Sequence, residues 1–252
     1  MARYFIELAY KGTNYHGWQI QKNATSVQQL VNRALSLKLG ETVETIGSGR
    51  TDKGVHALQQ FAHFDFNKQL KEKHLVFQLN RVLPKDIAAK NIYEVDPEAH
   101  ARFDAESRSY IYKINCIKDP FLIDTFYYRR GDLDLDLMNQ AAEIFKKTVD
   151  FESFSKVKTD VNHFRCFISL SKWIQHDNML YYYVTADRFL RGMVRTLVGT
   201  MLDIGTGKTS LQDLGMIISS QDRKKAGRAV PAHGLYLSEV KYPSSIYIKR
   251  KP

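Results

Sequence analysis

Cysteine is scarce in this sequence. Only Cys116 and Cys166 occur among 252 residues, with no CxxC pair and no zinc-like ligand spacing. A disulfide framework is thereby excluded, and free thiols in a reducing compartment are expected. Long apolar runs are missing as well. None approaches the roughly 20 residues that span a bilayer, and the opening MARYFIELAY lacks the cationic stretch and apolar core of a secretory leader. A cytoplasmic protein without membrane contact is the expectation. No sequence repeat is visible, and no detachable basic tail accounts for the net charge of +10. Residues 1–105 hold 14 basic and 11 acidic side chains, residues 106–252 hold 23 and 16. The excess is therefore spread over the chain, and with a pI near 9.4 it points to a polyanion as partner.

What is present centres on Gly47-Ser48-Gly49-Arg50-Thr51-Asp52-Lys53-Gly54-Val55-His56. A short strand is predicted before it over 42–46. A half-buried strand is predicted after it over 55–66, from a period near two. Three glycines allow close approach of the backbone to a ligand, so the stretch reads as a loop presenting Arg50 and Asp52. The competing reading is a solvated turn in which Asp52 caps local backbone.

The chain opens with a predicted strand over 2–10. An aromatic and amide-rich loop follows over 11–25, carrying Tyr15, His16, Trp18, Gln19 and Gln21. Such side chains either contact unpaired bases or, more commonly, pack the loop onto its own domain. Thr25 and Gln28 read as a capping box, ahead of a helix that stops at Gly40. A second helix is predicted over 68–82, ended by Pro84, and a strand over 87–95. Residues 97–105 read as the join between an N-terminal half, 1–105, and a C-terminal half, 106–252. The second half reads as a strand over 106–117, a helix over 134–147, paired strands over 164–175 and 179–186 around residues 176–178, and a helix over 188–203. On that last helix Arg188, Arg191 and Arg195 recur at steps of three and four and are expected to share a face. The plain alternative is a solvated basic face. Gly192 and Gly199 each cost a helix about 1 kcal/mol, which makes sense where another element crosses closely. Gly205 to Ser210 imitates the end of a phosphate-binding loop, but position 202 is leucine and the stretch follows a helix, so a nucleotide site is rejected.

Six blocks, in order, resemble the bacterial tRNA pseudouridine synthase A family. They are Gly12, Tyr15, Gly17-Trp18-Gln19 and Gln21; Gly49-Arg50-Thr51-Asp52 with Gly54-Val55-His56-Ala57; Leu79-Asn80 with Leu83-Pro84; His100-Ala101-Arg102-Phe103 with Arg108, Tyr110 and Tyr112; Phe189-Leu190 with Met193-Val194-Arg195 and Val198-Gly199; and Pro231-Ala232 with Gly234-Leu235-Tyr236-Leu237. The chain departs from the family pattern at Lys53, at Lys147 and Val149, and at Ala229-Val230.

The resemblance implies an α+β pseudouridine synthase fold: two similar halves, antiparallel sheets flanked by helices, and a central basic cleft. It implies isomerisation of uridine to pseudouridine at tRNA positions 38, 39 and 40, without metal or organic cofactor. It casts Asp52 as nucleophile, Arg195 as its charge partner and Tyr110 as the residue stacked on the target uracil. Arg50, Lys53, Arg188 and Arg191 would hold tRNA, and the protein would be a homodimer. Two rivals stand beside it. An inert RNA-binding protein would share the charge and aromatics but needs no arginine set against a loop aspartate. A glycoside hydrolase needs two carboxylates, and no second one stands out, Asp65 and Asp104 being the ones that could be argued.

Overall fold

The computed structural model describes residues 1–157 and 161–248. In chain order its elements are β1 (Ala2–Tyr10), α1 (Val27–Leu39), β2 (Ile46–Gly47), β3 (His56–Phe66), α2 (Glu72–Asn80), β4 (Ile87–Val95), β5 (Ser107–Asn115), β6 (Tyr127–Tyr128), α3 (Leu135–Lys147), β7 (Ile168–His176), β8 (Met179–Ala186), α4 (Met193–Gly205), α5 (Leu211–Ser220) and β9 (Leu235–Lys241). This mixed α and β architecture, with sheet flanked by helices, is that of the pseudouridine synthase fold expected from the sequence. Among the described residues no helix is long and apolar enough to cross a membrane.

Two compact units form. The first joins Met1–Glu106 to residues 237–248, and the second is built from the described residues of 107–236. The sequence reading instead runs its second half to residue 252. Side-chain chemistry explains the return of the C-terminal segment to the first unit. The Gln59 amide oxygen accepts from Val240 N at 2.9 Å, and the Tyr242 ring meets Phe5 and Phe61 edge-on at 5.1 and 5.3 Å.

In the first unit the strand order is β4-β1-β3-β9, with β1 antiparallel to both β3 and β4. Alternation along β1 sends Tyr4, Ile6 and Leu8 to one face, all fully buried. Phe5 and Glu7 take the other. Burial alone would raise the Glu7 carboxyl, but donors on Asn91, Gln59 and Tyr93, with Lys90 nearby, outweigh it and hold the group below the usual carboxylate range. Helix α1 starts one residue later than the sequence predicts. Ser26, not Thr25, caps it by accepting from Gln29 N, while the Gln28 amide is spent on Thr45 O and Ile20 N. Gly40 ends it with φ 77°, as expected. Helix α2 is shorter than the predicted 68–82.

In the second unit the order is β5-β8-β7, antiparallel throughout, with β6 parallel beside β5. Helix α3 begins at its Asp134 cap, which accepts from Leu137 N at 2.9 Å, and packs on β7. The turn between β7 and β8 is Asp177-Asn178, with Asp177 at φ 50°. Buried β8 residues Leu180, Tyr182 and Val184 lie opposite Ile114, Tyr112 and Tyr110. Helix α4 is nearly all buried. At Gly199 any Cβ would sit 1.8 Å from the Arg228 carbonyl oxygen, which is the close crossing expected there.

His63, 4% exposed, pins the 97–105 segment by accepting from Ala101 N at 3.1 Å, and its ring stands 4.6 Å from His100. Burial first, and then the neighbouring His100 and Arg3, push it down to about 4. Between pH 6.5 and 4 the unfolded chain therefore takes up a proton that the folded one refuses, so stability is full above this window and falls as pH drops through it. The loss is on the order of 3 kcal/mol. Urea melts of wild type and His63→Gln from pH 7 to 4 should show that the variant has lost most of this slope. Parallel curves would place the titration elsewhere.

Candidate active site

The Asp52 loop is held on both sides by backbone hydrogen bonds. Before Asp52, Ser48 N donates to Phe61 O at 2.7 Å, the Gln60 amide donates to Gly49 O, and Trp18 N donates to Thr51 O at 3.3 Å. After it, Val55 N closes a turn onto Asp52 O and Gly54 N donates to Tyr15 O. Thr51 shares a hydroxyl hydrogen bond with Tyr10 at 2.9 Å, and His56 Nδ1 accepts from Gly12 N at 2.9 Å. Ser48 and Thr51 are buried, so the loop is not a solvated turn. Asp52 stands half-buried between these anchors, and Arg50 and Lys53 on either side are exposed.

The anchoring stretch of chain is the loop after β1, and glycine is what lets it come so near. A Cβ at Gly17, where φ is 86°, would lie 2.2 Å from Thr51 O, and one at Gly12 would lie 2.0 Å from Val55 O. Trp18 and Tyr15 are buried beneath, Trp18 stacked on Tyr10 at 6.3 Å. The Tyr15 hydroxyl donates to Asp86, and burial followed by that carboxylate pushes its phenol well up. Tyr15 and Trp18 are thus packing residues and not base contacts, the commoner of the two roles such loop aromatics take. His16, Gln19 and Gln21 remain exposed.

The second unit carries the remaining candidates. Tyr110 on β5 is half-buried, and its ring meets Phe189 edge-to-face at 5.1 Å. Arg195, in the first turn of α4, donates from Nε to Val230 O at 2.7 Å, and Val230 N donates back to Arg195 O at 3.2 Å. Its charge is felt by Tyr112 and by His233, whose imidazole is pushed down by burial first and by Arg195 as well. The Tyr112 hydroxyl donates to Pro231 O at 2.8 Å.

The three arginines do not share a helical face. Arg188 and Arg191 precede α4, because Gly192 caps it in the left-handed region at φ 73° and the helical register starts only at Met193. Arg188 N donates to Asp187 Oδ1 and its guanidinium lies 3.3 Å from His163, while Arg191 O accepts from Lys156 N. Sequence reasoning also missed three supports: His56, Phe189 and the Val230 carbonyl. The first two stand inside family blocks, which was the available signal. Among the described residues no group of three or more His, Cys, Asp or Glu is placed to hold a metal ion.

Gly17→Ala and Gly40→Ala separate contact from conformation. Both positions have positive φ, but Gly40 faces open space. We expect Gly40→Ala to cost about 1 kcal/mol and Gly17→Ala at least about 2 kcal/mol more, since the opposing atom is backbone. Equal shifts in urea midpoint would show that the approach to Thr51 is not a constraint.

Comparison with known proteins matches the sequence of this chain to a family. The family described as tRNA pseudouridine synthase matches residues 8–104 and 141–243, spans that include Asp52 and Arg195. Curated relatives called tRNA pseudouridine synthase A cover nearly the whole chain. The Parabacteroides distasonis protein is 46% identical over 250 residues, covering 98% of each chain. The Bacteroides thetaiotaomicron protein is 47% identical over 250 residues, covering 98% of this chain and 93% of its own. That of Porphyromonas gingivalis is 46% identical over 252 residues, covering 98% and 100%. With this identity over almost its full length, the chain belongs to the tRNA pseudouridine synthase family.

Proposed function

We propose that this protein is a cytoplasmic, homodimeric isomerase that converts uridine to pseudouridine in tRNA, at positions 38, 39 and 40 of the anticodon stem-loop. The observation that carries the reading is the Asp52 loop. Asp52 is carried on main chain anchored on both sides, with the exposed cations Arg50 and Lys53 next to it in sequence. The relatives' shared description supplies the substrate class.

The reaction breaks the C1′–N1 glycosidic bond, turns the uracil and forms a C1′–C5 bond within the same nucleotide. C5 gives up its proton and N1 takes one up, so atoms and electrons balance without a co-substrate. Asp52 acts on the ribose C1′ or the uracil C6, or assists departure of the base. A nucleophilic carboxylate must stay ionised while shielded from water. In this reading Arg195 supplies the opposing charge, since a guanidinium is protonated at any working pH. The Val230 carbonyl fixes its Nε, which orients the rest of the group. Tyr110 stacks on the extruded uracil, with Phe189 bracing its ring. Extrusion costs a few kcal/mol. Arg50 fills the vacated space, and Lys53, Arg188 and Arg191 offset the cost through phosphate contacts. Lys53 is the departure from the family pattern nearest the nucleophile and is the residue we assign to any preference among the three positions.

Asp52→Asn should fold, bind unmodified tRNA with wild-type affinity and form no pseudouridine. Activity within tenfold of wild type would remove Asp52 from its role. Arg195→Leu should lose single-turnover chemistry by a larger factor than tRNA affinity; the reverse order would make it a phosphate ligand instead. Mapping pseudouridine on an undermodified tRNA pool should find positions 38–40 converted. Modification confined to another arm would sink the assignment of site while leaving the chemistry intact.

A further inference from the structure

The Asp52 loop is not the most basic part of the first unit. Residues 67–90 contain Lys68, Lys71, Lys73, Arg81, Lys85 and Lys90 against Glu72 and Asp86 alone. Among the described residues Lys71, Lys73, Arg81 and Lys85 enter no ion pair. Lys73, Phe77 and Arg81 recur at steps of four, so α2 and its C-cap residue Arg81 present them on one face. All three are exposed. Phe77 is 60% exposed, and the Arg81 guanidinium lies over its ring at 5.8 Å. Packing within the unit leaves this ring to solvent, with a cation one helical turn to either side of it. The hollow of about 490 Å³ between α2 and β4 is a different feature. It sets Lys73 and Lys90 against Glu72 and Glu94, which gives an anion no net advantage there.

This face is linked to the Asp52 loop by direct contacts. The segment after α2 bends through Pro84 to Asp86, whose carbonyl accepts from Lys11 N and whose carboxylate accepts from Asn14 and Tyr15. Those residues belong to the loop that grips Thr51 and Gly54. Arg50 and Lys53, then Lys85, then Arg81 and Lys73, are therefore exposed cations on consecutively touching segments. We propose that this line is a second RNA-contact surface, on which α2 holds the phosphate backbone of a helical stem while the Asp52 loop works on the target nucleotide. Lys73 and Arg81 stand eight residues apart, about 12 Å along a helix, so they meet separate phosphates of the stem. Phe77 offers an apolar face to a sugar or base between them. The inference rests on the proposed action on tRNA and adds to it the surface that grips the stem.

The experiment measures affinity of the full chain for an unmodified tRNA transcript between 50 and 300 mM salt, and separately its conversion to pseudouridine. Lys73→Gln/Arg81→Gln should weaken binding about tenfold near physiological salt. It should also reduce the log–log salt slope by about 1.5, roughly 0.7 to 0.9 for each phosphate no longer neutralised. Phe77→Ala should weaken binding severalfold with the slope unchanged, because no counterion is involved. Lys147→Gln/Lys208→Gln, exposed lysines of the second unit, removes the same net charge and should leave both quantities in place. Affinity within twofold and an unaltered slope for the α2 double variant would overturn the proposal. So would a change of oligomeric state in Phe77→Ala with RNA affinity intact, which would make the face a protein contact. If wild type binds tRNA but makes no pseudouridine, the catalytic reading fails and the α2 result still decides this one. If it converts tRNA and the α2 variants match it, the second surface is disproved and the catalytic reading stands.

Discussion

Everything proposed for Asp52 depends on two stretches of main chain lying closer together than side chains permit. Thr51 and Val55 present carbonyl oxygens where a Cβ at Gly17 or Gly12 would otherwise stand. That approach lets Trp18 N and Gly12 N reach their acceptors, and it seals Trp18 under the loop. A loop this short, with this many polar main-chain groups, gains order only by satisfying them. The loop after β1 is the partner that does so. The backbone on both sides of Asp52 is thus fixed by its neighbours. A carboxylate that must act at one atom of one nucleotide benefits from this, because misplacement of the order of 1 Å costs about two orders of magnitude in rate.

The second unit uses the same device. Gly199 on α4 admits the Arg228 carbonyl, and Gly227 lies against the backbone of Thr200, whose hydroxyl accepts from Gly227 N at 2.9 Å. Gly234 leaves room for the Tyr112 ring. These contacts seat the 226–234 segment along α4 and so place the Val230 carbonyl that holds Arg195.

Several elements were legible in advance because their signals are local. The run Ile87 to Val95 stops before Asp96-Pro97, and it is β4 without adjustment. Asp134 ahead of an apolar stripe gave the start of α3, and Gly40 gave the end of α1. The close crossing at Gly199 was also anticipated, since a glycine in a buried helix needs a reason. Errors arose where two local signals competed. Thr25 and Ser26 are both good caps, and the choice fell to Ser26 because Gln28 is consumed by Thr45 and Ile20, groups from other segments. Arg188 and Arg191 have helical spacing, but the turn through Gly192 and the Asp187 side chain removes them from α4.

By itself the sequence determined which side chains are available for chemistry, where most of the strands and helices lie (the predicted strand over 42–46 shrinks to Ile46–Gly47), and through six ordered blocks the family. Periodicity, capping and composition act over a few residues, so these are properties that a linear reading contains. Only the tertiary structure decided what each loop residue is for. Tyr15 and Trp18 became packing because the fold buries them, and His56 became an anchor because Gly12 arrives 44 residues away in sequence. Arg81 joined Lys73 and Phe77 in one exposed row because α2 turns that face outward. Burial and long-range hydrogen bonding are set by which distant segments meet, and no local pattern of residues encodes that meeting.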